Sequence, residues 1–259
     1  MSTHPSVSKA PIGIMGAIRP ELAGILVEMT DRRETLIAGR KFRHGRWHGR
    51  DVVVVLSRVG KVSAALTTTI LIERFGVHCI VFTGVAGGLS PLVRIGDIVV
   101  ARNLVQYDMD ASPIFPRYEV PLYGKTEFAT DTVLSNALAA IARQKISELS
   151  TTLDANALAE FSLFSPQVHE GLVLCGDRFV TNAADNQALQ QQFPNGLCIE
   201  MESAAAAQVC HDYGVAFSAI RTISDQADDS AHVDFSHFVD TVASRYSTAI
   251  LGTLMEQFQ

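Results

Sequence analysis

Apolar residues in this chain fall into two kinds of run, short unbroken ones and longer ones spaced for a helix. The first short run, Pro11–Ala17, closes on Gly16 and leads into Arg19–Met29, where Pro20 suits a first helical turn. Lys41 to Leu56 predicts a hairpin, with Gly45 and Gly49 as turn signals, and a helix over Ala64–Phe75 follows. His78–Gly84, Val168–Val173 and Val215–Ile220 are too short and too apolar for typical helices and predict buried strands. Asp131 to about Glu160 is helical in pattern with a break at Ser150–Asp154, another helix starts at Asp185, and Ser236–Phe258 predicts a long amphipathic closing helix. This alternation of strand and helix points to the α/β class. No repeat or low-complexity linker divides the chain, so we expect a flexible tail over residues 1–10 and a single domain over 11–259.

Composition narrows the partners. The chain has 259 residues, enough to bury a large core without disulfide or metal staples. A net charge of −6 argues against nucleic acid or an anionic membrane as the main partner. Cys79, Cys175, Cys198 and Cys210 are widely spaced with no Cys/His ligand pattern, so neither a metal nor a secreted disulfide framework is expected. The N-terminus lacks the apolar core of a signal peptide, and no run approaches the roughly 18 apolar residues of a membrane span. A soluble, cytoplasmic protein is expected.

The candidate chemistry concentrates between Cys198 and Asp228. Glu200 and Glu202 flank Met201 just before Ser203–Val209, a strong helix former rich in alanine. A carboxylate at a helix start can serve as a charge for the helix dipole, or can accept both hydroxyl hydrogen bonds of a vicinal diol. The strand Val215–Ile220 ends in Arg221-Thr-Ile-Ser-Asp225, where α/β sheets present polar groups to ligands. An Asp there is a plain loop residue, or a buried acid whose raised pKa lets it carry a proton near neutrality.

Glu200-Met-Glu-Ser-Ala-Ala-Ala followed by Arg221-Thr-Ile-Ser-Asp225 resembles the 5'-methylthioadenosine/S-adenosylhomocysteine nucleosidases, members of the nucleoside phosphorylase and nucleosidase superfamily. Other segments carry the same likeness: the opening Gly-Ile-x-Gly-Ala strand, Thr-Gly-x-Ala-Gly-Gly from Thr83, Gly-Asp-Ile-Val from Gly96, and Gly-Asp-x-Phe from Gly176. The fold implied is a three-layer α/β/α sandwich around a mixed, partly barrel-like central sheet, usually in a homodimer. This sequence departs from the family pattern at three places. Arg58 stands for the first glycine of Gly-x-Gly-Lys-Val, Val85 for a frequent Ser, and Cys175 for the Ser before Gly-Asp.

The resemblance implies hydrolysis of an adenine nucleoside without cofactor or metal. Asp225, positioned by Ser224, would protonate adenine N7, and Glu21 with Arg221 would orient and deprotonate water. Glu202 would hold the 2'- and 3'-hydroxyls, helped by Met201 and Glu200. Val85, Ala86 and Gly87 would form the loop beside the ribose, Phe179 would stack on the base, and the Val180 backbone would bond its edge. Ile114, Phe115, Tyr118 and Pro121 would line the pocket for the 5'-substituent, contributed from the neighbouring subunit. Arg19 and Arg58 leave phosphorolysis as an alternative to hydrolysis, beside a nucleosidase for another adenosine-like substrate such as aminofutalosine. A binding relative without activity is a further alternative, against which Glu21, Glu202 and Asp225 stand together. The resemblance implies that Asp131 to Pro166 is longer here than in compact family members, with a cover for the rim and a surface elaboration as alternatives.

Overall fold

A computed structural model describes residues 10–227 and 235–257. Its strands are β1 (Ile12–Gly16), β2 (Thr30–Ile37), β3 (Arg40–Trp47), β4 (Arg50–Leu56), β5 (Cys79–Gly88), β6 (Ile98–Gln106), β7 (Glu127–Ala129), β8 (Val168–Cys175), β9 (Gly196–Glu200) and β10 (Ala216–Asp225). The helices are α1 (Pro20–Glu28), α2 (Lys61–Phe75), α3 (Thr132–Ser147), α4 (Leu149–Thr152), α5 (Ala155–Glu160), α6 (Ala183–Gln192), α7 (Ser203–Tyr213), α8 (Phe235–Phe238) and α9 (Ser244–Gln257). A π-helical turn, Val239–Ala243, joins α8 to α9, so the expected closing helix is interrupted, and its last residue, Phe258, lies outside the described residues. Most of the expected tail, residues 1–9, lies outside them too.

Five strands form a closed ring. β10 lies parallel to β5 and antiparallel to β6, β6 is parallel to β8, β8 is parallel to β9, and β9 returns antiparallel to β5. From β5 the sheet continues outward through β1 and β4 in parallel, then antiparallel through β3 to β2. Val52, Val53, Val54 and Val55 of β4 are fully buried on both faces, which is why the run is apolar throughout rather than alternating. Each such side chain contributes about 1.5–3 kcal/mol relative to exposure.

Helices cover both faces, and the apolar residues divide accordingly. On one side α1, α3 and α9 bury Leu22, Ile25, Leu138, Ile141, Leu251 and Met255 against the sheet. On the other, α2 and α7 bury Ala64, Leu71 and the alanines Ala204–Ala207. The small alanine face lets α7 approach closely. The α/β/α layering with a partly closed sheet is the architecture the resemblance implied.

Three expectations change. The segment from Asp131 to Pro166 contributes no residue to the cavity lining and is anchored in the core as well as exposed at the surface. Asp131 caps α3 by accepting from Leu134 N at 2.8 Å, and Leu134, Leu153, Ala157 and Leu163 belong to the main core. β10 runs on through Asp225, past the point where the apolar run ends, because the ring gives its polar residues ladder partners. Arg58 adopts φ +70, the left-handed conformation that glycine takes freely, and its guanidinium turns outward to Gly39 O at 2.7 Å. The loop thus keeps a glycine-like shape, and the extra cation stays out of the cavity.

Candidate active site

A cavity of about 360 Å³ opens where β1, β5, β9 and β10 end. Glu21, Glu202 and Asp225 line it from three separate parts of the chain, with Val85, Ala86, Gly87, Phe179, Val180, Glu200, Met201 and Ser224. Arg221 does not line it, nor do Ile114, Phe115, Tyr118 and Pro121.

Glu21 sits in the first turn of α1, one tight turn beyond β1. Its Oε2 accepts from Ala17 N at 2.6 Å and Ile18 N at 3.0 Å, and its Oε1 accepts from Val85 N at 3.1 Å. Burial raises its pKa, against the lowering effect of these donors and of Arg221. A Cβ on Gly84 would lie 2.6 Å from Oε1, so the strand beside the carboxylate has to be bare.

The two carboxylates around Met201 do different work. Glu200 accepts from Glu202 N at 3.0 Å, Ser203 N at 2.8 Å and Ser203 Oγ at 2.8 Å, which makes it the cap of α7. Arg221 Nη2 donates to Glu200 Oε2 at 2.9 Å and to Ser203 Oγ at 2.5 Å, while Nη1 donates to Phe82 O. The expected pairing of Arg221 with Glu21 at a water is therefore not made. The guanidinium is buried behind Glu200, stacked 4.6 Å from the Phe82 ring centroid. Glu200 is likewise saturated by the helix start and Arg221, which leaves little of it for a substrate hydroxyl.

Glu202, the residue before α7, makes no capping bond. Its Oε1 accepts from Gly60 N at 2.8 Å, and burial followed by repulsion from Glu200 pushes its pKa up to about 8. Gly60 has φ +98, which only glycine adopts without strain, and this turns its N–H toward Glu202. The carboxylate is thus sparsely partnered and aimed into the cavity.

Asp225 owes its direction to an irregularity. The pairing of β10 with β5 shifts register between Ile223 and Asp225, so Ser224 and Asp225, adjacent in sequence, both reach the cavity. Ser224 Oγ donates to Asp225 Oδ2 at 2.8 Å, and Ala227 N donates to Oδ1 at 2.8 Å. A Cβ on Gly87 would lie 2.9 Å from Oδ1, so this glycine makes room for the acid.

Phe179 stands half-exposed at the mouth, and Val180 is buried beside it. Reading by residue type passed over Arg178, which also lines the cavity and pairs with Asp185. It passed over a tie at the rim as well. Lys61 Nζ donates to Asp108 Oδ1 at 2.5 Å, Asp177 N donates to Asp108 Oδ2 at 2.9 Å, and Lys61 N donates to Asp177 Oδ1 at 2.8 Å. The Gly-Asp-x-Phe motif, whose Asp is Asp177, was the available signal. Cys175, where the family has Ser, is fully buried, and burial followed by Glu200 raises its thiol pKa far enough to keep it neutral.

Comparison with known proteins gives the family and the fold. Residues 11–256 match the phosphorylase superfamily. The 5'-methylthioadenosine/S-adenosylhomocysteine nucleosidase of Shewanella putrefaciens is 35% identical over 248 residues, covering 96% of this chain and 99% of that protein. The crystal structure of the Neisseria meningitidis enzyme of that name, in complex with methylthio-immucillin-A, superposes with TM-score 0.83 at 28% identity, covering 95% of this chain and 99% of that one. The futalosine hydrolase of Helicobacter pylori superposes with TM-score 0.79 at 33% identity, covering 95% and 97%. The chain belongs to the phosphorylase superfamily and, within it, to the 5'-methylthioadenosine/S-adenosylhomocysteine nucleosidase family.

Proposed function

We propose that this protein hydrolyses the N-glycosidic bond of 5'-methylthioadenosine, S-adenosylhomocysteine or both, releasing adenine and a 5-thio-substituted ribose. The observation that carries the reading is the convergence of Glu21, Glu202 and Asp225 on one cavity of nucleoside size. Adenine is a poor leaving group until protonated. Asp225 gives its proton to N7 as the C1'–N9 pair moves to the base, and Glu21 takes a proton from the water whose oxygen bonds C1'. A raised pKa suits Glu21 to that task near neutral pH. Glu202 accepts from the 2'- and 3'-hydroxyls, while Phe179 and the Val180 backbone hold the base. Arg221 acts at one remove, by fixing Glu200 and with it the start of α7.

Water is favoured over phosphate as the nucleophile. Among the described residues, Arg178 alone of the arginines lines the cavity, and it is engaged with Asp185; Arg19 and Arg58 stay outside. The loop with Ile114, Phe115, Tyr118 and Pro121 completes the 5'-pocket of a second copy in a homodimer. Four buried, free cysteines fit a reducing cytoplasm.

The test is adenine release from methylthioadenosine, S-adenosylhomocysteine and adenosine in phosphate-free buffer. The native protein should turn over the thio-nucleosides, and Asp225→Asn should lower kcat about 10²–10⁴-fold. Activity that appears only with phosphate would overturn the hydrolytic reading. The likeness to futalosine hydrolase favours one other substrate, so futalosine and its 6-amino counterpart belong in the panel. Preference for either would move the substrate assignment and keep the reaction.

A further inference from the structure

We propose that Asn186, outside the cavity lining, is the positioning residue that holds the acid Asp225 in register with the base-binding loop. This rests on the nucleosidase reading above. Asn186 lies on α6, which starts just beyond Phe179 and Val180 and is capped by Asn182, whose side chain accepts from Asp185 N at 2.8 Å. The side chain of Asn186 is 7% exposed. Its Nδ2 donates to Gln226 O at 2.8 Å and Gly88 O at 3.2 Å, with Ala227 O at 3.5 Å. Gln190 Nε2 fixes the amide in turn, donating to Asn186 Oδ1 at 2.6 Å and to Leu89 O at 2.5 Å.

Those carbonyls belong to the two segments that place the acid. Gln226 and Ala227 follow Asp225 directly, and Ala227 bends back with φ +50 so that its N–H reaches Asp225 Oδ1. An alanine takes that left-handed conformation only where its surroundings impose it. Gly88 adjoins Gly87, the bare position against which Asp225 Oδ1 rests. A single buried amide therefore ties the end of β5 beside the acid, the turn after the acid and the helix that follows Phe179 and Val180. Proton transfer to N7 needs the acid and the base held at a fixed separation, and a misplacement of about 1 Å costs about 10²-fold in rate.

The experiment compares two leaving groups in the full-length protein: adenine in methylthioadenosine, which must be protonated, and 4-nitrophenolate in 4-nitrophenyl 5-methylthio-riboside, which departs as an anion. Asn186→Leu should lower kcat for methylthioadenosine about 10²-fold with KM little changed, and leave 4-nitrophenolate release near the native rate. Parallel losses on both substrates, or no loss on either, would overturn the proposal. Should the leucine variant fail to fold, Asn186→Ser keeps a donor but shortens its reach, and the same split is required of it. A native protein that released neither leaving group would overturn the nucleosidase reading and this inference with it, whereas parallel loss overturns this inference alone.

Discussion

The floor of the cavity and the loop from Asp108 to Tyr123 are built on different principles. The floor carboxylates sit at strand ends or helix starts and are almost fully buried, Glu21 at 2% exposure, Glu202 at 5% and Asp225 at 6%. Their positions are set by ladders of backbone hydrogen bonds and by glycines that leave room for them. The loop combines local bonds such as Tyr118 N to Met109 O with a few side-chain ties to other segments, among them Asp108 to Lys61 and Tyr118 to Gln192, and Ile114 projects with 82% of its surface exposed. One chain thus gathers Glu21, Glu202 and Asp225 around one cavity, and carries Ile114 on a loop outside its lining.

The sharpest way to break this contrast is to attack the floor from behind. Glu200→Gln leaves the buried Arg221 without its charge partner and should lower stability by about 3–5 kcal/mol, read as a large fall in Tm. A fall below about 1 kcal/mol would show that Arg221 is compensated elsewhere. A smaller, graded effect comes from Glu202. Its folded-state pKa of about 8 lies above the ordinary 4.5, so the native chain holds a proton that the unfolded chain releases. Stability should fall as pH rises through that window, by at most about 1.4 kcal/mol per pH unit, and more gently in Glu202→Gln. Melting curves from pH 5 to pH 8 check the slope, and equal slopes in both proteins would remove Glu202 as its source. The smallest effect belongs to the loop. Phe115→Ala should leave Tm unchanged and raise KM for methylthioadenosine about fivefold, roughly 1 kcal/mol, with little change for adenosine. An equal rise for both would detach the loop from the 5'-group.

Much of this was legible because motifs in this fold are short and lie at strand ends. Gly-Asp-x-Phe and Thr-Gly-x-Ala-Gly-Gly carry their geometry with them. The resemblance gave the diol to Glu202 with Glu200 as helper, but the capping role that occupies Glu200 was not legible. Residue type alone does not show that Glu200 is taken up by the start of α7 and the buried Arg221 while Glu202 meets Gly60 N. Arg221 was paired with Glu21 by the resemblance alone, and the sequence carries no sign that its guanidinium turns instead to Glu200 and Ser203. β2 passed unseen because its residues are nearly all exposed and show no apolar alternation. The role of Asp131–Pro166 depended on which helix it met, and α9 lies about a hundred residues further along the chain.

That same β2 has a consequence for the protein at high concentration. An open sheet edge is a template on which another chain can add a strand, the first step of clumping and fibre growth. Closing five strands into a ring removes their edges from that risk. The long strand left at the margin is furnished with charge: Glu34 pairs with Lys41 at 2.9 Å and Arg43 at 3.3 Å, Asp31 kinks the backbone with φ +53, and the pairing is irregular between Thr30 and Arg33. A newcomer strand would have to strip water from these groups and follow a bent track. The margin of the sheet is thus furnished against the addition of a strand from another copy.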